Sequence, residues 1–167
     1  MKYTSAEAAK LLKALNEQHD MLIEKESSSC YFVAAVSEDI ESVRPEYDYD
    51  TTKQQLEEIE RKIRTVKHAI NVFNTTHKVP GFDMTVDEVL VYMPQLSERK
   101  RRLYPMAGAL PKMRQRGGVQ SNIIDYRYTN YDVKKAEADM IATGDLLARL
   151  QNALDIVNTT EKMEIEL

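Results

Sequence analysis

The chain has 167 residues, 43% hydrophobic and 30% charged, with a net charge of −4; this balance excludes a disordered segment and fits one soluble domain with a real core. Its single cysteine, Cys30, excludes an internal disulfide framework, and the net negative charge argues against bulk nucleic-acid binding. Five glycines, five prolines and no tryptophan favour long helices over a many-turned β fold.

The start, Met1 to Glu7, has no apolar stretch of the kind a secretory signal carries. The longest apolar run, Cys30 to Val36, is too short to span a membrane. The expected location is cytoplasmic, with no membrane partner.

In chain order, a first helix is predicted near 5–29. Thr4-Ser5-Ala6-Glu7 has the capping-box pattern, and Ala8, Leu11, Leu12, Leu15 and Leu22 follow at helical spacing. Tyr31 to Val36 fits either a strand or a helix. From Ser37 to Glu60 there are nine acids against Arg44 and Lys53. A second helix is predicted over 51–76, with the stripe Ile63, Val66, Ala69, Ile70 and Phe73.

A third helix is predicted over 85–104. It opens on the box Thr85-Val86-Asp87-Glu88 and continues with Val89, Tyr92, Met93, Leu96 and Leu103. Pro94 should kink or split it, because proline lacks the N–H and crowds the carbonyl of Leu90. From Glu98 to Arg127 there are eight bases against Glu98 and Asp125, around a loop carrying Pro105, Gly108, Pro111, Gly117 and Gly118. Ile124, Tyr126 and Tyr128 alternate with polar neighbours as a strand would, with Val43, Tyr47 and Tyr49 as the expected partner strand. A fourth helix is predicted over 131–160, weakened at Gly144.

The chain repeats itself. Ile63, Val66, Ala69, Ile70 and Phe73 lie over Leu147, Leu150, Ala153, Leu154 and Val157, and both copies end in Asn-Thr-Thr. The two capping boxes and their apolar followers also correspond, as do Tyr49-Asp50-Thr51-Thr52-Lys53 and Tyr131-Asp132-Val133-Lys134-Lys135. The expected fold is mainly α: a single domain, 1–167, of two internally related antiparallel helical hairpins, about 4–80 and 85–167. A small two-stranded β-pairing is expected in the connections. Ile70 and Leu154 are expected in the core.

Chemistry-bearing residues are sparse. His19, His68 and His77 lack the His-x-x-x-His or Glu-x-x-His spacing of helical metal sites, so no metal is expected. Glu57 with Glu60, and Glu38 with Glu41, share a helical face but lack a facing acidic cluster to hold Mg²⁺. Glu57 and Glu60 also suit the acidic start of a helix. Cys30 has no adjacent base or cation to activate it. No P-loop, nucleophile elbow or dinucleotide fingerprint is present. No catalytic residue or cofactor is therefore expected. Asn74-Thr75-Thr76 and Asn158-Thr159-Thr160 read as helix C-terminal caps.

The basic stretch is the candidate site. Arg99, Arg101, Arg102, Arg114 and Arg116 are the candidates for binding an anion or nucleic acid, with Tyr126 and Tyr128 as stacking surfaces. The alternative for these residues is a solvated turn, or a patch that pairs with the acidic 37–60 segment.

Ile70-Asn71-x-x-Asn74 at the second helix, the span Thr85 to Leu103, Ser121-x-Ile123 before Asp132-Val133, and the terminal Asn158-x-Thr160 together resemble the septicolysin-like family of small bacterial helical proteins. The resemblance implies a mostly helical fold and carries over no catalytic activity. The family name suggests a lytic toxin, which nothing in this sequence supports. Pro94 and the loop over 105–118 depart from the family pattern.

Two function classes follow. The favoured one is a non-enzymatic, self-associating helical interaction or scaffold protein that forms a homo-oligomer, with a protein partner as a further option. The other is an anion- or nucleic-acid-binding module using the basic 99–127 region.

Overall fold

The computed structural model describes residues 1–115 and 125–167. The fold is mainly α. In chain order the described elements are β1 (Lys2–Thr4), α1 (Ser5–Ser29), α2 (Ile40–Val43), α3 (Tyr49–Thr76), α4 (Val86–Ala107), β2 (Lys112–Arg114), β3 (Tyr126–Tyr128), α5 (Val133–Thr160) and β4 (Lys162–Glu164). No helix among the described residues is long and apolar enough to cross a membrane. The chain divides into two compact units, Met1–Thr76 with Val157–Leu167, and His77–Ile156.

In the first unit the two ends of the chain are clasped. β1 and β4 pair antiparallel, with Tyr3 opposite Met163. The Met1 amino group donates to the Ile165 carbonyl at 2.9 Å, and the Ile165 N–H donates back to the Met1 carbonyl at 2.9 Å. Alternation does the rest: Met163 and Ile165 are buried, while Lys162, Glu164 and Glu166 face solvent. Thr4 then caps α1. Its hydroxyl accepts from the Glu7 N–H, and the Glu7 carboxylate accepts from the Thr4 N–H at 2.8 Å, which completes the predicted box. α1 and α3 pack side by side. The pairs His19–Glu60 and Glu26–Tyr47 show that they run antiparallel. The core consists of Ala8, Leu15, Val66, Phe73, Val157, Met163 and Ile165.

The second unit opens on a tight turn. Pro80 and Gly81 occupy its centre, and Gly81 sits at φ +78, a left-handed conformation that glycine adopts without strain. The Phe82 N–H donates to the Val79 carbonyl, and Lys78 bridges antiparallel to Thr85. Thr85 completes a second capping box with Glu88. Val79, Val86, Val89, Leu96, Ala136, Leu150 and Leu154 are buried here.

α4 runs through Pro94 without a break, and through Pro105 as well. The expected split does not occur because Leu90, whose carbonyl loses its partner, is exposed, so water can satisfy the oxygen. α5 likewise continues through Gly144. A Cβ at Gly144 would lie 3.3 Å from Lys100 Nζ, so glycine makes room there for the lysine stem from α4.

Three further expectations are corrected. The partner of Tyr126–Tyr128 is Lys112–Arg114, with Arg114 opposite Tyr126, and not the 43–49 stretch. Val43 ends α2 and Tyr49 begins α3, whose first turn is fixed by Asp48 accepting from the Thr51 N–H at 2.8 Å. Pairing within one connection also closes a shorter loop, at lower entropic cost. Ile124 lies outside the described residues. Tyr31 to Ala35 forms neither strand nor helix. Finally, Asn74 and Asn158 are inside α3 and α5, and no described non-glycine residue has positive φ. The hydroxyls of Thr75 and Thr76 donate back to the Asn71 and Val72 carbonyls at 3.0 and 2.7 Å, bonds within the helix rather than a cap beyond it.

Candidate functional site

Of the five arginines expected to act together, the structure brings two into one cavity. Arg99 and Arg102, three residues apart on α4, line one cavity of 430 Å³ with Leu103. Its other wall is Asp139, Ala142, Thr143 and Leu146 of α5. Thr143 is buried and its hydroxyl donates to the Asp139 carbonyl at 2.7 Å. No carboxylate among the described residues pairs with Arg99 or Arg102, and no cation pairs with Asp139.

Arg101 faces elsewhere. Its Nε and Nη2 donate to the two oxygens of Glu98, both at 2.8 Å. This bidentate bond holds the Glu98 carboxyl below its ordinary range and the guanidinium above its own. Arg114 is on β2, and Arg116 lies outside the described residues.

Tyr126 and Tyr128 share one face of the β2–β3 pair with Lys112 and Arg114, since residues directly opposite and two apart point the same way. Lys112 Nζ sits 4.1 Å from the Tyr126 ring centre and 5.5 Å from that of Tyr128, at cation–π distance. The stacking surfaces named from sequence are therefore exposed, with the lysine already laid across them. A second cavity, 770 Å³, is bounded by Met106, Leu110, Met113, Arg127 and Tyr131, whose hydroxyl donates to the Met106 carbonyl at 3.1 Å.

Glu38 lies before α2, so it does not share a helical face with Glu41, and its carboxylate accepts from the Ala35 N–H at 2.8 Å. Glu57 pairs with Lys53 and Glu60 with Arg64, both at 3.8 Å, while Glu41 holds Arg44. Among the described residues no three His, Cys, Asp or Glu side chains gather as a metal ion would need. His19 lies 3.7 Å from Glu60 and His68 is exposed. Cys30 is half-buried and donates weakly to the Ser27 carbonyl.

What sequence reasoning missed is in the first unit. From Asn16 to Thr65 no side chain is buried, although the stretch contains half of each long helix. Leu22, Leu56, Ile59 and Ile63 line the two helices at helical spacing and are only half-buried. Beyond them Tyr31 is 86% exposed and Val33 93%. The apolar run over 30–36 was the available signal; its failure to find a core shows only in three dimensions. At this end the Tyr47 hydroxyl donates to Glu26 at 2.9 Å, and burial together with that carboxylate pushes the phenol up to about 12.

No family model matches the chain, and no curated protein is significantly similar to it. Among solved structures the chain is similar to a functionally unknown conserved protein from Corynebacterium diphtheriae, at 14% identity and a TM-score of 0.59. The match covers 98% of this chain and 100% of that one. At this identity the likeness shows a shared fold.

Proposed function

We propose that the protein is a self-associating helical interaction protein without a catalytic role, and that its partner is a second copy of itself joined through the α1–α3 hairpin. The observation that carries this reading is the unburied span Asn16 to Thr65. Two helices alone cover one stripe each; a second hairpin laid alongside covers the remaining apolar width in a four-helix arrangement.

Charge along α3 favours a second copy over an unrelated partner. Its first half carries Asp50, Glu57, Glu58 and Glu60 against Lys53. From Arg61 onward it has Arg61, Lys62, Arg64 and Lys67 and no acid. Two copies of α3 placed antiparallel set each acidic half beside a basic half, as a two-fold interface requires. A cytoplasmic location agrees with a lone cysteine. Membership of the septicolysin-like family belongs to the same proposal; it adds a helical fold and no activity, and a lytic role is no part of it.

Native mass spectrometry of the purified protein, repeated after a high-salt wash, tests the reading. A closed dimer is expected, and Ile59→Glu should give a monomer with unchanged helical circular dichroism, because Ile59 is only half-buried within one chain. A wild-type chain that stays monomeric at high micromolar concentration would falsify it.

A further inference from the structure

We propose that the cavity between α4 and α5 binds a small molecule with an oxyanion, phosphate or carboxylate, at one end and a hydroxyl or ammonium donor at the other. The site goes beyond self-association and lies wholly in the second unit. Its volume, 430 Å³, falls within the range of small-molecule pockets. Its chemistry is divided between two walls. α4 supplies Arg99 and Arg102, and α5 supplies Asp139. The opposite charges do not close on each other, since no ion pair joins them within 4.0 Å. Arginines three residues apart are neighbours on one face of a helix, and the guanidinium fork of each matches the geometry of an oxyanion. Glu98 is committed to Arg101, so it leaves Arg99 and Arg102 free for a ligand.

Leu103, Ala142 and Leu146 give the cavity an apolar lining, on which the carbon skeleton of the ligand rests. The Thr143 hydroxyl is spent on the Asp139 carbonyl and fixes the α5 wall rather than touching the ligand. Gly144, next to Thr143, lets α4 approach with the Lys100 stem beside it.

Two probes separate the ends of the site. Inorganic phosphate tests the arginine pair alone, and phosphoethanolamine adds an ammonium donor for Asp139; β-alanine, a carboxylate with the same ammonium, tells carboxylate from phosphate recognition. Binding is followed by the backbone amide signals of Ala142 and Thr143 on the full chain. Phosphoethanolamine or β-alanine should bind more tightly than inorganic phosphate. Arg99→Gln with Arg102→Gln should weaken every probe by at least about tenfold, the loss expected for hydrogen bonds to a charged group. Asp139→Asn should weaken the ammonium-bearing probes and leave inorganic phosphate unchanged. All three side chains are exposed, so the variants keep the fold. No shift at Ala142 or Thr143 with any probe at millimolar concentration, or shifts that survive the double arginine substitution, would overturn the site. Shifts that lose the arginine dependence only for inorganic phosphate would overturn it too.

Discussion

The two helical hairpins begin alike and end differently. α1 and α4 both start from a threonine cap locked to a glutamate three residues on. Past the caps, burial agrees position by position. Ala8 and Val89 are buried, Leu11 with Leu12 and Tyr92 with Met93 are half-buried, Leu15 and Leu96 are buried, and Leu22 and Leu103 are half-buried again. The second helices agree almost as well: Val66 and Leu150 are buried, as are Phe73 and Val157. The far ends diverge. One is an irregular connection with Tyr31, Val33 and Val36 in solvent. The other is a β-pair that carries Lys112, Arg114 and two tyrosines. A common frame holds the capped ends, where burial constrains every side chain, and leaves the distal connections free to carry different chemistry.

The most severe way to break this comparison is to empty one core and watch the other. Phe73→Ala in the first unit should cost about 3–5 kcal/mol, and Leu96→Ala in the second about 2–5 kcal/mol, the usual cost of cavities left by fully buried side chains. Hydrogen exchange reads the outcome separately along α3 and α4. Loss of protection confined to the altered unit would mean that the two units open independently; loss in both would make them one cooperative structure.

Much of the frame was legible because it depends on short-range rules. Six hydrogen bonds at the two boxes follow from a threonine and a glutamate three residues apart, and the buried stripes follow from helical spacing. Even so, Ile70 was expected in the core beside Leu154, and only Leu154 is buried, while Ile70 is half-buried. The β1–β4 clasp was not legible, since three-residue strands at opposite ends of a chain leave no periodic signal. The arrangement of the α4 arginines was hidden for a related reason. Sequence proximity grouped Arg99, Arg101 and Arg102, while helical geometry turns Arg101 to its own glutamate and leaves the other two on one wall.

Smaller changes sharpen the comparison at matched points. Thr4→Ala and Thr85→Ala each remove one box and should cost about 1 kcal/mol, with the larger loss at Thr4, which is buried where Thr85 is half-buried. Equal losses in chemical denaturation would show that the hydrogen bonds alone set the value. Gly144→Ala should act in the other direction. Alanine is worth up to about 1 kcal/mol over glycine inside a helix, and the atom it would crowd is the flexible end of Lys100. Thermal melting should therefore show a modest gain in stability. A loss would mean that Lys100 cannot yield.

The finest distinction is in acid. At both boxes the bonds from the threonine, backbone first and hydroxyl second, hold the glutamate carboxyl below its ordinary value of 4.5. A carboxyl with a lowered folded value binds its proton more weakly than in the unfolded chain. Its contribution is therefore complete above about pH 4.5 and disappears as pH falls through the lowered folded value. Glu58, taken down to about 2 by Arg61 and then Lys62, behaves in the same sense on α3 and loses its pairs last. All these carboxylates are solvent-exposed, so each effect is small. In wild type, amide protection in the first turns of α1 and α4, taken relative to the intrinsic exchange rate at each pH, should fall together below about pH 4.5. Glu7→Gln should flatten the acid response of the first turn of α1 and leave that of α4 in place. A response that persists in α1 would assign the acid sensitivity to the α3 ion pairs, since the Glu58 pairs titrate lower and act on the same hairpin.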